Sequence, residues 1–238
     1  MTRRRWIADE FSSSQAALTG KHADHLIRVL RARIGQEFDI AAGPTIRRGR
    51  ITRIAGSRVD FELGEEVPAA AAANISLLLS IFKFDRMEWA IEKCTELGVS
   101  HIVPVIARRT DAHLASAANK RVERWRKIAL QASEQSRRAS PSEIAGPMKL
   151  KQAVDCAASL KLLLAESEDQ TTLTDALTAC ENDSAIALAI GPEGGWADDE
   201  LHLFQQHRWI SASLGPTILR AETAAIAATA ICISGLNR

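Results

Sequence analysis

The sequence lacks any run approaching the ~18 consecutive apolar residues that a membrane-spanning helix needs. Its first residues, MTRRRWIADEF, carry positive charge with no apolar segment behind it, so a secretory signal is not expected. Together these absences imply a cytoplasmic protein with no membrane partner. No C-x-x-C pair occurs. Cys94, Cys156, Cys180 and Cys232 are scattered, which excludes a zinc ribbon or a dithiol redox motif and predicts buried thiols in a reducing compartment. His22 and His25 fall on opposite sides of a helical turn, so no metal is expected. Neither G-x-G-x-x-G nor G-x-x-x-x-G-K-[ST] is present, so the dinucleotide fingerprint and the phosphate loop are both excluded. An excess of one charge is missing too: 30 Lys and Arg against 29 Asp and Glu leave a net charge of +1.

The positive charge that is present is unevenly placed. Residues 1–58 hold twelve cations, eleven of them arginine, against five acids. Arginine presents a planar fork that suits phosphate, so this segment is a candidate nucleic-acid surface. It reads as short strands at Arg5–Ala8, Glu37–Ala41, Ile46–Ile54 and Arg58–Leu63, with turns at Gly43-Pro44 and Gly56-Ser57. One helix, with Leu26, Val29, Leu30 and Ile34 on a face, interrupts them. EEVPAAAAAN, residues 65–74, reads as a linker. This predicts a mostly-β domain over 1–70 and a second domain over 74–238.

From residue 75 the pattern alternates. Strands are expected at Ile75–Phe82, His101–Ile106, Leu160–Ala165, Ala185–Ile190 and Trp209–Leu214. Helices are expected from Asp85 to Gly98 and over Lys120–Arg138, Thr172–Cys180, Asp198–His207 and Ala221–Ser234, the last ended by Gly235. Such alternation predicts an α/β domain with a parallel sheet covered on both faces. Ligands of such sheets bind at the carboxyl ends of strands. Two strands here end in unusual loops, IGPEGGW at 190–196 and LGPTILRAETAA at 214–225. Their glycines permit positive φ and close backbone approach to a flat ligand.

These paired loops, with HADHLIRVLRARIGQEF, KFDRMEWAIEKCTELGVSHIVPV and EQSRR, resemble the SPOUT methyltransferases and within them the RsmE family, the 16S rRNA (uracil(1498)-N(3))-methyltransferases. The resemblance spans nearly the whole chain in the right order. Phe84 and Ala221 depart from it, standing where the family usually has glycine and threonine or valine respectively. It implies a PUA-like β-barrel followed by a SPOUT domain tied in a trefoil knot, which normal chain-threading rules would never suggest. It also implies S-adenosylmethionine as cofactor, 16S rRNA in the small ribosomal subunit as partner, and a homodimer. Cofactor contacts would come from Ala165 and Glu166; from Ile190, Gly191, Pro192, Glu193, Gly194 and Gly195; and from Leu214, Gly215, Ile218, Leu219 and Arg220.

Methylation at uracil N3 removes a proton and leaves an imide anion spread over O2 and O4, which a nearby cation stabilises. Arg220 is the candidate. Glu222 could orient it, favour the helix start or act as base. RNA contacts are expected from Arg3, Arg4, Arg5, Arg28, Arg31, Arg33, Arg137 and Arg138. The alternatives are a SPOUT enzyme acting on another RNA site, or a non-catalytic assembly factor. The intact glycine loops argue against the last.

Overall fold

The computed structural model describes residues 5–43, 45–68, 73–136, 138–178 and 184–236. Arg3, Arg4, Arg137 and Cys180 therefore lie outside the described residues. The chain divides into two compact units, 1–71 with 133–141, and 72–132 with 142–238. The sequence reading had placed 133–141 entirely with the second domain.

In the first unit, strands β1 (Arg5–Ile7), β2 (Glu10–Phe11) and β3 (Gln15–Thr19) precede helix α1 (Gly20–Asp24), which continues into a π-helical turn, His25–Val29. Strands β4 (Glu37–Ala42), β5 (Thr45–Ala55) and β6 (Arg58–Glu66) follow. The sheet order is β1-β4-β5-β6-β3-β2, antiparallel except for β1 on β4. Two register shifts between β5 and β6 curl it into a half-barrel. Gly49 makes close packing possible there, because a Cβ would stand 2.3 Å from Ile40 Cγ1. Leu18, Leu26, Ile40, Ile51 and Phe61 fill the interior. Strands β2 and β3 were missed by the sequence reading. They are short, and Ala16, Ala17 and Leu18 are all buried, so no alternation marks them.

The second unit begins with β7 (Ile75–Ser80), α2 (Phe84–Leu97), β8 (His101–Ile106) and α3 (Ala112–Ala117). A 3-10 turn, Ala118–Arg121, leads into α4 (Val122–Gln135). Next come β9 (Glu143–Ile144), β10 (Met148–Lys149), α5 (Leu150–Ala153), β11 (Leu160–Leu164) and α6 (Leu173–Ala176). The chain closes with β12 (Ile186–Ile190), α7 (Asp198–Gln206), β13 (Ile210–Ala212) and α8 (Ala221–Leu236). The sheet order is β10-β8-β7-β12-β11-β13 with β9 also on β8, and every pairing is parallel.

Period-2 alternation sorts the strand residues between two cores. Leu77, Leu79, Leu162, Ile186 and Leu188 join α2, α4 and α8 on one face. Leu78, Leu163, Ala187 and Ala189 join α5, α7, Trp196 and Trp209 on the other. With both faces covered, β12 is buried at all five positions. Gly98 ends α2 in the left-handed conformation, φ 117°, as expected. Gly235 does not end α8: the helix runs through it, and the missing Cβ lets Leu177 pack against it. The expected Lys120–Arg138 helix stops at Gln135, and its first turn is 3-10.

Candidate cofactor pocket and catalytic site

Strands β12, β11 and β13 are neighbours, so the loops after their carboxyl ends converge. In the loop after β11, Glu168 Oε1 accepts from the amides of Gln170 (2.9 Å) and Thr171 (2.8 Å). Those bonds hold its carboxyl below the usual value. The Ser213 amide donates to the Thr171 carbonyl, and the Leu173 amide to the Ser213 carbonyl, both at 2.9 Å. The loops after β11 and β13 are thereby zipped together.

The loop after β12 closes as a tight turn, with Gly195 N donating to Pro192 O at 2.9 Å. Trp196 Nε1 donates to Leu164 O at 3.0 Å and fastens this turn to the end of β11. The Trp196 ring also meets Phe204 edge-on, 4.8 Å between centroids. Gly191 lets the turn pass close beneath that ring, where a Cβ would lie 3.2 Å from Trp196 Nε1. Gly195 (φ 70°) and Gly215 (φ 114°) occupy backbone conformations that other residues rarely adopt. Buried Glu200 completes the frame, accepting from Arg108 N (2.8 Å) and Ala197 N (3.0 Å).

Together the loops line a cavity of about 960 Å³. Every residue expected to contact the cofactor is on its wall: Ala165, Glu166, the run from Ile190 to Gly195, Leu214, Gly215, Ile218, Leu219 and Arg220. Arg220 is exposed. Glu222 is not among the lining residues. It is 5% exposed, in the first turn of α8, with Oε1 3.7 Å from Arg86 Nε and Oε2 without a hydrogen-bond partner.

Two lining cations escaped the sequence reading. Arg86 Nη1 donates to Glu193 Oε1 at 2.7 Å, and Arg109 Nη1 donates to the Gly194 carbonyl at 2.8 Å. Both lie just past the carboxyl ends of β7 and β8. That position was the available signal, because ligands of parallel sheets gather at those ends.

The arginines of the first unit divide by role. Arg47 donates to carbonyls of Ser13, Leu63 and Gly64, Arg48 pairs with Asp39 at 2.9 Å, and Arg58 pairs with Glu10 and Asp60. These staple the half-barrel. Arg28, Arg31 and Arg33 are exposed, and Arg5 is half-buried in β1. Arg138 does not sit at a solvated helix end: it is half-buried, and burial draws its guanidinium below the ordinary range. His22 lies between two carboxylates, Nδ1 3.2 Å from Asp9 and Nε2 3.3 Å from Glu134.

The profile of the RNA methyltransferase domain family matches residues 70–233. A Synechocystis protein named ribosomal RNA small subunit methyltransferase E is 30% identical over 226 residues, covering 93% of this chain and 74% of that one. The chain belongs to the ribosomal RNA small subunit methyltransferase E family. A Rickettsia conorii protein of the same name is 29% identical, covering 92% of this chain and 89% of its own. A Neisseria gonorrhoeae protein of that name, solved bound to S-adenosylmethionine, superposes with a TM-score of 0.82 at 30% identity and covers 96% of each chain. Within this family the parallel-sheet unit is the SPOUT methyltransferase fold, and the curled sheet is PUA-like. No helix among the described residues is long and apolar enough to cross a membrane.

Proposed function

We propose that this protein transfers a methyl group from S-adenosylmethionine to N3 of one uridine in 16S rRNA of the small ribosomal subunit. The carrying observation is that three loops after adjacent parallel strands enclose one cavity whose wall holds every residue expected to contact the cofactor, with Arg220 on it. Its volume of about 960 Å³ lies within the roughly 300–1,000 Å³ typical of small-molecule sites. Carboxylates Glu166, Glu168, Asp169, Glu193 and Asp198 on its wall suit a ligand carrying sulfonium and ammonium charges.

Residues 165–166, 190–195 and 214–220 would hold the cofactor, which supplies an electrophilic methyl group when bound. The chain's own work is to hold the uracil and manage its charge. Arg220 takes the catalytic role, offering a guanidinium to the oxygen on which imide charge develops. Glu222, buried and outside the lining, takes a positioning role through Arg86.

Residues 1–70 are read as the RNA-binding domain, with Arg3, Arg4, Arg5, Arg28, Arg31 and Arg33 contacting phosphates, and residues 74–238 as the methyltransferase domain. Arg137 and Arg138 are assigned to RNA or to the partner subunit. A cytoplasmic homodimer completes this reading. The test is methylation of small subunits lacking the modification, followed by mapping of the base and identification of the nucleoside by mass. Methyl on a different base or atom would replace the N3 assignment. No transfer and no cofactor binding would leave an assembly factor instead.

A further inference from the structure

Arg86 is oddly placed for a helix-surface cation. It lies in the first turn of α2, where the helix dipole disfavours positive charge. Two carboxylates from distant parts of the chain surround it. Glu193, at the tip of the turn after β12, accepts from Nη1 at 2.7 Å. Glu222, in the first turn of α8 and two residues past Arg220, has Oε1 3.7 Å from Nε. The side chain of Glu222 is 6% exposed, so its charge has almost no water to lean on. Residues Leu79 and Ile190, near the ends of β7 and β12, are register partners, which brings the start of α2 beside the turn.

We propose that Arg86 is a positioning residue, a clasp that holds the Glu193 turn to the first turn of α8 so that the cofactor wall and Arg220 keep one relative placement. This rests on the reading of the cavity as the S-adenosylmethionine site. A guanidinium can do this because its charge is spread over a planar group, donating to Glu193 through Nη1 at 2.7 Å while Nε faces Glu222 at the ion-pair distance of 3.7 Å. A lysine ammonium is a point charge and serves one partner well. The clasp differs from an ordinary surface ion pair by joining a pocket loop to the first turn of α8, whose Glu222 is buried.

The test uses the full-length protein and the variants Arg86→Lys, Glu193→Gln and Arg86→Lys/Glu193→Gln. One readout is S-adenosylmethionine affinity by titration calorimetry. The other is amide hydrogen exchange of residues 191–197 in the ligand-free protein. Each single variant should weaken binding about tenfold and speed exchange of that turn about tenfold, with melting temperature nearly unchanged. The double variant should be no worse than the poorer single one, because both break the same link. Affinity and exchange within about twofold of wild type in both single variants, or effects that simply multiply in the double, would overturn the clasp. If the wild type bound no S-adenosylmethionine, the cavity reading would fall, and exchange in the turn would still decide whether Arg86 restrains it.

Discussion

Arg220 combines three properties that no other residue on the cavity wall shares: it carries positive charge, it is exposed, and it directly precedes the last helix. Removing one preorganised donor to a developing anion typically costs roughly 10²–10³ in rate. Arg220→Ala should therefore bind S-adenosylmethionine nearly as wild type yet lose at least about a hundredfold in single-turnover methyl transfer. Quench-flow with small subunits checks this, and retention of half the wild-type rate would remove Arg220 from catalysis. The glycines divide by cause. Gly215 has open space around it but a φ of 114°, so a side chain there strains the backbone rather than clashing. Gly191 has the reverse problem, a ring at 3.2 Å. Gly215→Val stores about 1–3 kcal/mol of strain and should weaken cofactor binding in a protein that remains folded. Calorimetry beside circular dichroism tests this, and unchanged affinity in a folded variant would detach the loop after β13 from the cofactor.

Helix α4 shows how one element can hold two kinds of residue. Val122, Trp125 and Ala129 repeat at helical spacing and are buried in the core of the second unit. Its last turn is different, for Glu134 is grouped with the first unit and faces His22, with Asp9 and His25 nearby. Burial is the main cause that raises the Glu134 carboxyl above its ordinary value, and Asp9 adds to it while His22 and His25 oppose it. A carboxyl whose folded value is raised favours the fold fully below the unfolded value of 4.5 and loses that contribution as pH rises through the folded value. Glu134→Gln should therefore raise the melting temperature near neutral pH, with the gain shrinking as pH falls and vanishing below about 4. Melting scans across pH check the sign. A gain that grew towards acid would mean the His22 pair outweighs the burial.

The chain joins a half-barrel studded with arginine to a sheet domain whose strand ends form the cavity. A chain beginning near Asn74 retains all residues of the cavity wall. It should bind S-adenosylmethionine and methylate small subunits far more slowly than the full chain, with less dependence on salt, because phosphate contacts release counterions. It would also leave residues 133–141 without the first unit they cluster with, so lower thermal stability is expected. Methyl transfer at two salt concentrations, with cofactor titration of the same truncated protein, tests the division. Equal rates would refute an RNA-binding role for residues 1–70, and loss of cofactor binding would refute the independence of the second domain.

The sequence by itself determined the alternation of strands and helices after residue 75 and the glycine loops that line the pocket, though not the burial of its first helical face, where Val29 and Ile34 are exposed. These are local matters: periodicity follows from helix and strand geometry, and glycine marks where positive φ or close approach is needed. Short pieces escaped it, such as β2, β3, β9 and β10, because two to five residues carry too little pattern to read. So did the fate of charges. Nothing in the sequence distinguishes Arg47, which staples the half-barrel through backbone carbonyls, from exposed Arg33. Only the tertiary structure decided that Arg86, Glu193 and Glu222 meet, since they lie 107 and 29 residues apart along the chain. An ion pair depends on distance in space, and the sheet order that places β12 beside β7 is what sets that distance.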